Sequence, residues 1–461
     1  MIGADRALEL LSRVVAAHSA HADGLEAVLA TVDGHCTRFG CSTILQATTV
    51  SDPRVTFRAL ARGASAEATT SDLSPSGLDA ACRHATRLAQ AAGAVSLAAA
   101  PTLPGPDGTD PVIVIPGAYD EATARADPPA AAAMLARAFR QGERAKVTLA
   151  GRTLMTVYER AVVNSLGLRR YFASTVADAR VFATDGQASG YSGDVRTSAA
   201  GLDVEWFVAA AIGKCVRGRD PVDVGAGRHD VILEPDAVAD LVDWLGLIGF
   251  TPNSVEDGTS FLAGRIGRSI TGDQVTLVDD GWCEAGAGIP TPFDREGVLK
   301  RKVVLIDRGV GRQVVHDTQS AARAGVASTG HAVAPGDIDQ GGPAPQNLVF
   351  AAGDASISEM LASVERGLWV SAFHYVNGLL DPHRAVMTGL TRHGTFEIVN
   401  GQLGRSVKNL RFTDSVLEAF TRIAAVSSEL RAVPVGWGMH SATVAPAVLI
   451  RGLNFSGESS E

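Results

Sequence analysis

Apolar positions in the chain follow two periods, and the changes between them mark its elements. From about residue 4 to 19, Leu8, Leu11, Val14 and Val15 recur at three- and four-residue spacing, which predicts a helix with one packed side. Between Gly24 and Ala68 the pattern turns to alternation in LEAVLATVDG and VTFRALARG, and the glycines there predict a β-layer of short strands. Ser74-Pro75 opens a helix to about Gly93, with Leu78, Ala81, Cys82, Ala85 and Leu88 as its inward stripe. Residues 98–111 gather Pro and Gly and read as a linker. Asp127-Pro128 starts another helix, to about Gly142. Strands separated by polar turns follow, one of them at Asn164-Ser165-Leu166-Gly167, where Asn and Gly tolerate a left-handed backbone. A helix over about 203–216 carries Trp206 and Phe207.

The clearest strand-to-helix signal is HDVILEPDAVADLVDWLGLIGF, residues 229–250. Val231-Ile232-Leu233 reads as a buried strand, and Glu234-Pro235-Asp236 as the first turn of a helix. Val238, Leu241, Val242, Leu245 and Ile248 form its packed face, which leaves Asp236, Asp240 and Asp243 to face water. Further on, Asn400-Gly401 predicts a two-residue hairpin, and Ser415 with Glu418 a capped short helix. The pattern divides into residues 1–100, 111–222 and 228–458. It predicts an α+β protein, with mixed α/β N-terminal and middle regions sharing their layers and a β-rich C-terminal domain.

With 461 residues, 46% of them hydrophobic and 20% charged, the chain can bury the cores of two or three domains. A net charge of -9 argues against a nucleic-acid surface. No apolar run approaches the roughly 18 residues needed to cross a bilayer, and no basic-then-apolar leader opens the sequence, so a cytoplasmic protein is expected. Cys36, Cys41, Cys82, Cys215 and Cys283 are scattered and form no Cys-x-x-Cys pair, as suits free thiols.

Candidate chemistry is sparse. His18 and His21 lack a third ligand of suitable spacing. Asp294 and Glu296 form either an acid/base pair on an extended segment or a turn whose carboxylates accept backbone amides. Cys283 could serve as a nucleophile near His316 or His331.

Phe293-Asp294-Arg295-Glu296-Gly297, then Pro343, Asn347, Gly353-Asp354 and the closing VGWGMHSATVAPAVLIRGLNFSG, follow the order of elements of a known family. Nearly the whole chain resembles the TldD/PmbA metallopeptidases, whose C-terminal domain the resemblance implies to be antiparallel and barrel-like. In the zinc-binding branch, the helix after the buried strand carries His-Glu-x-x-x-His, two ligands and a general base. The matching positions here are Asp243, Trp244 and Ile248, and residues 430–445 hold no cysteine where that branch has a further ligand, only His440. The resemblance therefore implies a TldE/PmbA-type chain with no metal or cofactor of its own. Such a chain would pair as a heterodimer with a zinc-bearing TldD-like subunit and act on unfolded or small peptides. Asp294, Glu296, His331, Asn347 and His440 are the candidates for its substrate cavity. Two other readings stay open: a stand-alone hydrolase with a thiol or cryptic-metal mechanism, and a homo-oligomeric peptide-binding protein.

Overall fold

Two long strands organise the first half of the chain. The computed structural model describes residues 1–93, 101–283, 287–334, 342–434 and 441–458. In it β1 (Gly24–Gly40) and β2 (Thr43–Ala61) are 17 and 19 residues long, where short strands broken by glycine were expected. Gly34 does not interrupt β1 but stays in register opposite Val50. The chain reverses at Cys41 and Ser42, both with positive φ, the backbone whose twist suits a two-residue hairpin. With β3 (Ala64–Thr70), β4 (Thr148–Asn164), β5 (Arg169–Thr184) and β6 (Ser189–Arg196) they form one antiparallel sheet in the order β3-β2-β1-β4-β5-β6. β1 pairs with β4 without a break from Glu26↔Asn164 to Phe39↔Gly151, so this sheet joins the regions on either side of the Pro/Gly-rich stretch.

Odd-numbered residues of β1, β2, β4 and β5 face helices. α1 (Ala4–His18) and α2 (Pro75–Gly93) enclose Leu25, Val55 and Phe57. The packed stripe of α2 runs Leu78, Cys82, Ala85, Ala89, and Leu88, expected inside, is exposed because the stripe drifts one position along the helix. After the short α3 (Glu121–Ala124), α4 (Pro128–Ala145) and α5 (Val204–Arg217) cover β4 to β6, with Leu135, Phe207 and Ala211 inward. The even-numbered face is left for the C-terminal region.

That region opens with β7 (Gly227–Leu233), followed by β8 (Leu277–Asp279), β9 (Val303–Asp307), β10 (Val310–Gly311) and β11 (Leu348–Phe350). β12 (Arg366–Asp381), β13 (Val386–Val399), β14 (Gln402–Ser406), β15 (Leu410–Ser415) and β16 (Ile423–Val426) come next, then β17 (Arg431–Pro434), β18 (Ala442–Ala445) and β19 (Val448–Glu458). One sheet has the order β10-β9-β8-β11-β18-β17. The other runs β12-β7-β19-β15-β13-β14, and because β12 also pairs with β13, five of its strands close into a barrel. Only the β12–β7 pairing in it is parallel. The turn between β13 and β14 is Asn400-Gly401, both with positive φ, and Ser415 Oγ accepts the Glu418 amide at 3.3 Å.

α6 (Pro235–Gly249) lies between the two sheets, packed on β12 of the barrel and on β11, β17 and β18 of the other sheet. No broad face remains for water. Contrary to the amphipathic reading, Asp236 is only 6% exposed, and Asp240 and Asp243 are half-buried. Gly246 and Gly249 permit the close fit: a Cβ on Gly246 would come within 2.7 Å of Leu348, and one on Gly249 would collide with the Phe261 ring.

Candidate functional site

On α6, Trp244 is 8% exposed and lies over Gly378, where a Cβ would approach its ring to 2.7 Å. Ile248, 5% exposed, belongs to the same core as Phe250 and Phe261. The Asp243 carboxylate accepts from the Thr443 hydroxyl. An indole and an aliphatic side chain offer no donor to zinc, and both are packed into the core, so these positions do not fit the ion. Among the described residues no group of three or more His, Cys, Asp or Glu side chains is placed to hold a metal. His440 lies outside the described residues. His18 bonds Asp79 at 3.1 Å, and its ring centroid is 6.3 Å from that of His21.

Asp240 and Asp243 stand one turn apart. Burial, with Asp243 beside it, pushes Asp240 up to about 8, and burial pushes Asp243 up to about 7 against the Thr443 hydrogen bond. The folded chain thus holds protons that the unfolded chain releases, so these groups make stability fall as pH rises from 3.8 through about 7 to 8. Asp243→Asn is expected to raise the urea midpoint at pH 8 and leave it unchanged at pH 4. A parallel shift at both pH values would rule out this titration.

The Phe293–Gly297 segment is a turn. Asp294 Oδ1 accepts the amides of Glu296 (2.9 Å) and Val298 (3.0 Å), and Oδ2 that of Ala332 (2.8 Å). Gly297, at φ 78°, turns the chain against Leu168 and Val162. Glu296 accepts instead from Arg58 Nη1 (2.7 Å) and the Thr318 amide (3.0 Å), so the two carboxylates have separate partners. Burial and Glu296 push Asp294 up to about 8. Between them Arg295 donates to Glu67 at 2.7 Å, and Arg58 also lies 3.8 Å from the buried Glu26, so the turn is tied to the first sheet by charge.

Behind this turn lies a fully buried network. Asp279 Oδ1 is 2.9 Å from His331 Nε2 and 3.6 Å from Lys300 Nζ, while Oδ2 accepts the amides of Gln346 (2.6 Å) and Asn347 (2.8 Å). Lys300 also donates to Asn347 Oδ1 at 2.9 Å. Despite burial, Lys300 and His331 hold Asp279 well below the usual carboxylate range. His331 Nδ1 lies 2.9 Å from the Thr329 carbonyl and Nε2 2.9 Å from Asp279 Oδ1, so both ring nitrogens have partners and neither is left to activate a thiol. Burial pushes the Cys283 thiol up to about 12, which further weakens a thiol mechanism.

Where the even-numbered face of the first sheet parts from the C-terminal loops, a cavity of about 420 Å³ opens. Its walls include Ala30, Thr56, Tyr158 and Arg160 from the strands, and Arg295, Ala332 and Gln346 from the loops. Asp294, Glu296, His331 and Asn347 do not line it; they are buried behind it, and Arg295, Ala332 and Gln346 are their sequence neighbours. Tyr158 and Arg160 escaped the sequence reading. Their signal was the alternation of β4, in which Val157 and Ala161 belong to the other face.

A helix-backed sheet of long strands joined to a small barrel defines a known class of α+β proteins. The fold is that of TldE from Thermococcus kodakarensis, with a TM-score of 0.84 over 97% of this chain and 100% of that one, at 21% identity. Residues 226–457, half of the chain, match the PmbA/TldA metallopeptidase C-terminal domain, and the chain belongs to this TldD/PmbA family. A metalloprotease from Methanothermobacter thermautotrophicus is 25% identical over 225 residues, 46% of this chain and 48% of that protein. A metalloprotease TldD homolog from Haemophilus influenzae is 29% identical over 237 residues, 48% of this chain and 46% of its own length. The chain spans about half the length of the curated relatives it matches.

Proposed function

We propose that this chain is a TldE/PmbA-like subunit without a catalytic centre of its own, which pairs with a zinc-bearing TldD-like relative to form a peptidase for unfolded or small peptides. The observation that carries the reading is α6: the fold around it is kept, while Trp244 and Ile248 fill with packed apolar side chains the places where a base and a ligand would stand. The zinc and its general base then belong to the partner, and this chain contributes cavity walls. Five free cysteines suit a reducing compartment, so we place the complex in the cytoplasm. No described helix is long and apolar enough to cross a membrane.

Co-expression with a zinc-bearing relative from the same genome tests this. The expected result is a stable one-to-one complex whose peptide cleavage requires both chains and disappears when the glutamate of the partner's zinc helix is replaced by glutamine. Equal cleavage of the same peptides by the partner alone would end the subunit reading.

A further inference from the structure

Charge is unevenly shared around the cavity. Among the described residues its walls carry three guanidiniums, Arg54, Arg160 and Arg295, against two carboxylates, Asp52 and Glu67. Arg54 is exposed and pairs with Asp52 at 2.8 Å, and Arg295 pairs with Glu67 at 2.7 Å. Arg160 is left. Its Nε donates to the Tyr158 hydroxyl at 2.8 Å and its Nη1 to the Phe293 carbonyl at 3.4 Å, both neutral acceptors. The guanidinium carbon lies 5.4 Å from the centre of the Tyr158 ring. The group is thus half-buried, held by neutral groups, and its Nη2 has no hydrogen-bond partner among the described residues.

A second polar group on the same cavity is unsatisfied. Ser441, 6% exposed, is a wall residue whose Oγ makes no hydrogen bond among the described residues. A buried hydroxyl left unmade costs stability unless a ligand completes it. A fixed guanidinium with free donors is the preferred receptor for a carboxylate, which it can grip through two parallel N–H bonds.

We infer that Arg160 is the anchor of a carboxylate-binding subsite in this cavity, which takes a free carboxylate of a bound peptide, with Ser441 as an additional donor. The inference rests on the peptide-binding reading above and deepens it: this chain would hold the substrate by its negative end. The carboxylate can be the peptide's own C-terminus or an acidic side chain.

Titration calorimetry on the full chain with three probes separates the possibilities: acetyl-Ala-Ala-Ala with a free carboxylate, the same peptide as its C-terminal amide, and acetyl-Ala-Asp-Ala-amide. The free acid is expected to bind roughly tenfold to a hundredfold more tightly than the amide, the range of a charge-assisted hydrogen bond. Arg160→Gln should erase the difference, and Arg160→Lys should restore part of it. If the aspartyl amide binds like the acid, a side-chain carboxylate suffices; if it binds like the plain amide, the subsite reads the chain terminus. Equal binding of acid and amide to the unaltered chain overturns the subsite even if Arg160→Gln fails to fold, and so does a preference that survives Arg160→Gln in a folded protein. Equal binding leaves the subunit reading standing, because partner-dependent cleavage tests that separately. Absence of binding by all three peptides overturns the subsite together with peptide binding by this chain.

Discussion

Asp279→Ala should lower the stability of the chain by about 3–5 kcal/mol, the usual cost of stripping one partner from a buried ion pair. Asp279, His331 and Lys300 are enclosed, so the groups that lose the carboxylate cannot turn to bulk solvent for a replacement partner. The substitution takes the nearest carboxylate from Lys300, which among the described residues keeps its hydrogen bond to the Asn347 amide oxygen, removes the partner of His331 Nε2, and takes the acceptor from the backbone amides of residues 346 and 347. Asp279→Asn, which keeps the shape and one acceptor, should cost less. Urea unfolding at pH 7 measures both, and a loss below about 1 kcal/mol for Asp279→Ala would show that the network is not structural. Because the Asp279 value is lowered in the folded chain, its contribution is present above the ordinary aspartate range and is lost only as the solution is made strongly acidic. The network also sets the cavity wall: it fixes residues 331 and 346–347 directly, and Thr291 through Asn347.

Rebuilding the zinc motif should fail, and fail by unfolding. Asp243→His, Trp244→Glu and Ile248→His together place one carboxylate and one imidazole in slots now filled by an indole over Gly378 and an aliphatic chain in the main core. The replacements at Trp244 and Ile248 each forfeit apolar burial of about 2–4 kcal/mol and add the desolvation of a polar group. The triple variant is expected to lose more than about 4 kcal/mol and to show no chelator-sensitive peptide cleavage. Near-ultraviolet circular dichroism and a peptide digest with and without chelator check this. Chelator-sensitive cleavage by a folded triple variant would falsify the claim that α6 cannot accept zinc.

Local features were well marked in the sequence where a few residues decide them. The helices at Ala4–His18 and Pro75–Gly93 followed from their stripes, and the Asn400-Gly401 hairpin from the left-handed backbone those residues tolerate. Features decided by distant partners were not. Gly34 read as a break because a glycine weakens an isolated strand, but here Val50 on one side and Thr156 on the other hold it in a ladder. Asp236 and Asp240 read as a wet face because an amphipathic helix ordinarily has one sheet beneath it, and α6 has a sheet on both sides. Asp294 and Glu296 share a side only on an extended chain, and Gly297 makes that chain a turn. The cavity was hidden for the same reason: the alternation of β4 separates Arg160 from Ala161, but only the later C-terminal loops decide which of the two faces a hollow.

The position of β7 has a consequence for synthesis. Val231, Ile232 and Leu233 pair with Leu368 to Val370 on one side and with Val448 to Ile450 on the other, so the strand that opens the barrel is completed by the strand made last among the described residues. At roughly 5–20 residues per second, tens of seconds pass on the ribosome between the emergence of the two. Throughout that interval an apolar strand has an open edge, and α6 behind it lacks half of its cover. The nascent chain is therefore most exposed to wrong pairing in the segment that the finished protein encloses most completely.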